Sequence, residues 1–221
     1  MAARGSSAPG RATPVRILVA SSNPGKLREY RELAEGSTLD IAPLPNFREI
    51  PPFEESAPTF AEIAAGKALY YSRFTGEIVL TEDSGLVVPA LGGAPGVLSA
   101  RYAGPHATGE ECVRKLLHEM EGRAGDQRRA RFVCVTALAR QGHVLAVVSD
   151  FSAGILAVEP RGSGGFGYDP IFLITQLGRT YAEASPEEKN RHSHRGKAFR
   201  KVRELLAGSW PDAGTRVISA G

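Results

Sequence analysis

The chain has 221 residues, of which 42% are hydrophobic and 23% charged, with a formal charge of +3 and two cysteines. That length buries a sizeable core in one domain, and the small net charge gives no argument for nucleic acid as the main ligand. No apolar run approaches the ~18–20 residues of a membrane span, and Cys112 and Cys134 lack disulfide-framework or metal-ligand spacing, which points to a reducing, cytoplasmic setting.

Residues 1–14 hold arginine, serine, proline and glycine but no apolar core, so they read as a disordered extension rather than a secretory signal. Val15 to Ala20 is a β-branched run and predicts a buried first strand. Leu27, Tyr30 and Leu33 then recur at helical spacing, predicting a helix from Gly25 to Glu35. A second strand follows at 38–42, then a proline-rich loop to Pro58. Thr59 predicts an N-cap, with Glu62 at the fourth position of the box, for a helix to about Phe74. Residues 78–81 read as a strand ending at the acidic pair Glu82–Asp83, and 90–104 as a glycine-rich irregular stretch. Thr108-x-x-Glu111 opens another capped helix, with Val113, Leu116, Leu117 and Met120 on one face. Segments 131–139 and 144–155 flank Gln141–Gly142 and predict a long antiparallel hairpin. A short strand is expected at 170–174. Ser185-Pro186 starts one continuous last helix to about Leu206, with proline at its first position, and the tail from 208 reads as poorly ordered. The class is α/β: an elongated mixed sheet flanked by helices, folded from 15–207 as two lobes around a central substrate cleft.

Four segments place polar, charged or glycine residues at the ends of predicted elements, where ligands bind in open α/β sheets. Ser21-Ser22-Asn23-Pro24-Gly25-Lys26 joins the first strand and helix. Its small residues, the free N–H groups of the helix start and Lys26 suit an anion, although the segment also serves as an ordinary turn and is not a Walker A loop. Glu82-Asp83-Ser84, with Glu62 and Lys67 on the preceding helix, offers carboxylates to a hard cation and a base to water; Glu62 fits a capping role equally well. Residues 162–167 match G-x-G-x-x-G, but no helix follows, so the segment reads as a loop presenting Phe166 and Tyr168 for stacking on a base. Lys189, His194 and Arg195 form a cationic cluster for phosphate or base oxygens, whereas His192 and His194 are two apart and share no helix face.

Taken in order, SSNPGK, T-F-x-E, EDSGL, GGAPGVLSARYAG, GGFGYDPIF and EEKNRHSHRG resemble the Ham1/RdgB-like inosine/xanthosine triphosphate pyrophosphatase family, from about Ile17 to Leu206. The resemblance implies a Mg²⁺-dependent hydrolase that cuts deaminated purine nucleoside triphosphates to monophosphate and pyrophosphate, acting as a homodimer. It implies that Ser21, Ser22, Asn23, Pro24, Gly25 and Lys26 hold the triphosphate, with Lys67 adding charge. Glu62, Glu82 and Asp83 would surround Mg²⁺, Asp83 would accept the proton, and Ser84 would touch substrate. Phe166 would stack on the purine beside Gly167, Tyr168 and Asp169, while Lys189, His194 and Arg195 would reach the base. Two departures stand out: Ile63 follows Glu62 where asparagine is common, and Glu82 replaces a frequent aspartate. The rival readings are a Maf-like pyrophosphatase for other modified nucleotides, which would lack the FGYDP and SHRG markers, and a non-catalytic nucleotide or RNA-binding module, against which the acidic cluster argues.

Overall fold

The computed structural model describes residues 14–208. The expected disordered start and the tail lie outside them, apart from Pro14 and Gly208. No helix among the described residues is long and apolar enough to cross a membrane.

A seven-stranded mixed sheet runs in the order β2-β1-β3-β4-β5-β6-β7. The strands are β1 Val15–Val19, β2 Leu39–Pro43, β3 Ile78–Val87, β4 Arg129–Arg140, β5 His143–Leu156, β6 Phe172–Ile174 and β7 Arg179–Thr180. β1 pairs in parallel with β2 and β3, and every later pairing is antiparallel. The hairpin β4–β5 turns at Gln141 and Gly142, both at positive φ (49° and 77°), the backbone that a two-residue turn matching strand twist requires. β7 is absent from the sequence expectation, because a two-residue strand leaves no periodicity to read.

The helices are α1 Pro24–Ala34, α2 Phe60–Tyr71, α3 Gly109–Glu119, α4 Pro186–His192 and α5 His194–Ala207. Asn23 caps α1 by accepting from the N–H groups of Gly25 and Lys26, and Thr108–Glu111 forms a full capping box for α3. α1 and α5 cover one face of the sheet, where Tyr30 and Phe199 pack on Ile17, Leu80 and Leu138. α2 covers the other, with Ala64 and Ala68 against Val135, Ala137 and Ala139. A further core is centred on Leu86, Leu116, Phe132, Phe172 and Tyr181.

Two expectations are corrected. The last helix is not continuous: Ser193 caps the end of α4 and, through its hydroxyl, the Gly196 N–H at the start of α5. The corner is tight enough that a Cβ on Gly196 would lie 1.8 Å from the Asn190 carbonyl oxygen. The acidic pair does not end a strand either. β3 continues through Glu82-Asp83-Ser84-Gly85 to Val87, because β4 supplies a partner along its whole length. On its other edge, β1 reaches only Ile78–Leu80. Beyond Leu80 that edge has no strand partner, only an isolated bridge from Val87 to Pro95 at its far end, and the cleft lies between.

Candidate active site

The cleft has a volume of about 780 Å³, within the range of small-molecule sites. Of the residues expected in the site, Ser21, Ser22, Asn23, Lys26, Lys67, Glu82, Asp83, Ser84, Phe166, Gly167, Tyr168, Asp169, Lys189, His194 and Arg195 line it, and Pro24, Gly25 and Glu62 do not.

Because successive side chains of a strand point to opposite faces, Glu82 and Asp83 belong to different surroundings. Glu82 faces α1 and α5 and is 4% exposed. Its Oε2 accepts from Tyr30 Oη and Arg195 Nε, both at 2.6 Å, and its Oε1 accepts from Arg195 Nη2 at 2.6 Å. Lys26 Nζ lies 3.1 Å from Oε1. Burial alone would raise its pKa, but Arg195 and Lys26 outweigh that and hold the carboxyl well below the usual range. Asp83 faces α2. Its Oδ1 is 3.6 Å from Lys67 Nζ, while its Oδ2 is buried with no hydrogen-bond partner. Burial pushes its pKa up to about 6 against the pull of Lys67 and Lys26.

The expected acidic trio does not assemble. Glu62 is exposed at the start of α2, where its Oε2 accepts from the Thr59 hydroxyl at 2.6 Å; it serves the helix end. A different carboxylate, Glu55 from the proline-rich loop, lines the cleft and accepts from Lys67 Nζ at 2.8 Å. Arg101 lies 3.5 Å from the other Glu55 oxygen. No group of three or more His, Cys, Asp or Glu side chains among the described residues is placed to hold a metal. Glu55 and Arg48, which also lines the cleft, escape the sequence reading because the proline-rich loop carries no periodicity, and Arg101 because it ends a short 3-10 turn, Gly96–Arg101, in the glycine-rich stretch; the Glu54–Glu55 pair just before Thr59 is the available signal.

At the other end, the 162–169 loop turns back over α1. A Cβ on Gly25 would stand 2.7 Å from Phe166 Cδ1, so Gly25 admits the ring instead of lining the cleft. Phe166 lies under Lys189 Nζ (4.9 Å) and the Arg195 guanidinium (5.5 Å). Asp169 accepts from the Phe166 N–H at 2.7 Å and from Lys189 Nζ at 2.6 Å, which holds the loop shut on itself. Tyr168 is buried and spends its hydroxyl on the Ser99 carbonyl at 2.9 Å, so of the two aromatics expected to stack, Phe166 is the one less committed to the core. Arg195 is 1% exposed. Glu82 takes its Nε and Nη2, Ser84 lies 3.4 Å from Nη2, and Glu29 takes Nη1; most of its five donors are committed. His194 is stacked on Phe132 (4.7 Å, 8°), and its buried Nδ1 has no partner. Burial, reinforced by Arg195, keeps its pKa well below 6.5, so the ring is neutral.

Comparison with known proteins points to one family. Residues 17–205 match the Ham1 family. A Geobacillus kaustophilus protein named dITP/XTP pyrophosphatase is 46% identical over 188 residues, covering 85% of this chain and 92% of its own. One of the same name from Gloeobacter violaceus is 47% identical over 194 residues, covering 87% and 93%. Among solved structures, a HAM1 protein from Coxiella burnetii superposes with a TM-score of 0.78 at 40% identity, covering 88% of this chain and all of that one.

Proposed function

The chain belongs to the Ham1 family, and from that premise we propose that it hydrolyses deaminated purine nucleoside triphosphates, the dITP and XTP class, to the monophosphate and pyrophosphate. The observation that carries the chemistry is Asp83: a buried carboxylate with one orphaned oxygen, its pKa moved toward neutrality, on the open edge of the cleft. A general base works best when its pKa lies near the operating pH. Asp83 accepts the proton of a water attacking the α-phosphorus, the α–β bridging bond breaks, and pyrophosphate leaves toward Lys26 and Lys67.

Mg²⁺ is part of the proposal. The cleft is lined by Lys26, Arg48, Lys67, Arg101, Lys189 and Arg195 against Glu55, Glu82, Asp83 and Asp169, and Glu29 lies behind as a fifth acid. Six positive and five negative groups leave an excess of one, too little to balance a triphosphate. Mg²⁺ characteristically binds through one or two carboxylates plus substrate phosphates. The orphaned Asp83 oxygen and Glu55 fit that set, whereas Glu82 is saturated by its own cations. Bound there, the ion would neutralise phosphate charge and polarise the phosphoryl oxygens.

Selectivity would rest on the 6-oxo group, an acceptor where adenine carries a donor. The remaining Arg195 and Lys189 donors and the loop backbone would pair with the oxo group and be left unpaired by adenine, a mismatch of the kind that discriminates by ~10⁴-fold. Assembly as a homodimer and a cytoplasmic location complete the proposal on the strength of the family resemblance; a solution mass of twice the chain mass by light scattering is the expected result for the dimer.

The test is product analysis with Mg²⁺ and dITP, XTP, dATP or dGTP. Pyrophosphate with dIMP or XMP, and dATP and dGTP spared, is the expected outcome. Release of orthophosphate, or equal turnover of all four, contradicts the proposal.

A further inference from the structure

Five of the six cations that line the cleft already have carboxylate partners. Lys26 has Glu82, Lys67 and Arg101 share Glu55, and Lys189 and Arg195 share Glu29. Arg48 is the sixth. Its side chain is exposed and makes no ion pair or hydrogen bond among the described residues, yet it lines the cleft. Local structure puts it there. Asn46 takes a left-handed backbone (φ 53°), which asparagine tolerates better than most residues, and the Glu49 N–H closes the turn on the Asn46 carbonyl at 2.8 Å. Arg48 sits inside that turn. On both sides the loop is pinned to α2. Phe47 packs on Tyr71 with ring centroids 5.0 Å apart, and the Phe53 N–H donates to Tyr71 Oη at 3.1 Å. The Phe53 ring fills the space over Gly66, where a Cβ would stand 2.6 Å from it.

The sheet separates the two ends of the cleft. Phe166 lies over Gly25 of α1, and Lys189 and Arg195 are held by Glu29 of the same helix. Asp83 faces α2, to which the Arg48 loop is fastened. A nucleotide with its base at Phe166 and its α-phosphorus at Asp83 therefore extends its outer phosphates toward the α2 wall. We propose that Arg48 reads the terminal phosphate there. Its guanidinium pairs with the γ-phosphate of the bound substrate and then with the departing pyrophosphate, and so separates triphosphates from diphosphates of the same base. The proposal deepens the functional reading above and rests on it. A terminal phosphate carries more charge than an inner one and presents the oxygens that a guanidinium fork matches. Every other cation of the cleft must leave a carboxylate to bind it, and Arg48 gives up only water. Exposure limits the strength of the contact through solvent and salt screening, and suits a place from which pyrophosphate has to leave.

Steady-state kinetics with Mg²⁺ on the wild type, Arg48→Ala and Arg48→Lys test this, with dIDP and pyrophosphate as inhibitors of dITP hydrolysis. Arg48→Ala should raise KM for dITP at least about fivefold with kcat within about twofold, the pattern of a lost binding contact. The inhibition constant of pyrophosphate should rise by a similar factor, while that of dIDP, which lacks the terminal phosphate, should not move. Arg48→Lys keeps the charge without the fork and should fall between Arg48→Ala and the wild type. Equal weakening of dITP and dIDP would assign Arg48 to an inner phosphate, and an unmoved KM for dITP would remove it from the substrate altogether; either result overturns the inference. As an exposed substitution, Arg48→Ala should leave the thermal midpoint unchanged. If the midpoint falls, Arg48→Lys decides by the same comparison of dITP with dIDP. A wild type that releases orthophosphate from dITP would refute the functional reading itself, whereas pyrophosphate release with an Arg48→Ala variant that behaves as wild type refutes this inference alone.

Discussion

Glu82 and Asp83 are neighbours in sequence with the same charge, yet the structure requires isosteric neutralisation to move their stabilities in opposite directions. Glu82→Gln takes the charge from a carboxylate that faces Arg195, Lys26 and Tyr30 and leaves buried cations uncompensated. Breaking a buried pair from one side costs about 3–5 kcal/mol. Asp83→Asn does the reverse. Its ionised form is disfavoured in the fold, as the rise from 3.8 to about 6 records. At about 1.4 kcal/mol per pKa unit, removing that charge at pH 8 should gain up to about 3 kcal/mol. Urea unfolding in EDTA at pH 8, where no metal contributes, reads both. The midpoint should fall by more than about 1 M for Glu82→Gln and rise for Asp83→Asn, slopes being roughly 1–3 kcal/mol per M. Turnover should separate them further, Asp83→Asn losing about 10²–10⁴-fold as a general base does. If both variants are destabilised alike, or if Glu82→Gln leaves the midpoint where it was, the assignment of Glu82 to the scaffold and Asp83 to the chemistry is wrong.

Other expectations follow from the same contacts. Glu55→Gln should raise the Mg²⁺ concentration for half-activation by about tenfold or more, as loss of a metal-site group does, while Glu62→Gln should not move it; the reverse pattern in a Mg²⁺ titration would restore Glu62 to the metal. Gly196→Ala should cost at least about 2–3 kcal/mol, seen as a lowered thermal midpoint, because the new methyl meets a backbone carbonyl at the α4–α5 corner. His194 is neutral in the fold and titrates near 6.5 when unfolded, so its contribution is complete above that pH. It is lost on acidification below it, by up to about 1.4 kcal/mol per pH unit. Asp83, whose folded pKa is raised to about 6, acts in the opposite sense over part of that range. The quantity to measure is therefore the difference between wild type and His194→Phe, which keeps the stack on Phe132; between pH 7 and 5.5 the wild type should lose more stability, and parallel curves would refute the linkage.

Local signals were legible wherever a side chain acts on its own neighbourhood. The Thr108–Glu111 box, the Gln141–Gly142 turn and proline at the start of α4 each appear where the sequence puts them, because capping and turn chemistry is settled within a few residues. The failures are tertiary. β3 runs through four polar or small residues that resemble a turn, since pairing with β4 over Val79–Val87 overrides their weak strand preference. Glu62 carries a helix-start signal and obeys it; its neighbour in the motif logic, Glu55, is brought to Lys67 from twelve residues away by a loop whose prolines predict no direction. Glu29 and Tyr30 look like the buried face of an amphipathic helix. Nothing local announces that their partners are Lys189, Arg195 and Glu82.

The alternation of β3 turns that last limitation into the logic of the site. One residue of offset sends Glu82 into a charge-balanced lattice that needs no ligand and Asp83 to a place where one oxygen has nothing to bind. A cleft whose cations, Arg48 apart, are already paired holds a polyanion mainly by exchange, when phosphate or base oxygens replace carboxylates as partners or when a metal brings the missing positive charge. Such a site resists indiscriminate binding of anions, because at every cation but Arg48 an incoming oxygen must first displace a carboxylate already in place. The orphaned Asp83 oxygen has no partner to give up either, and it lies where β1 has ended and β3 has not.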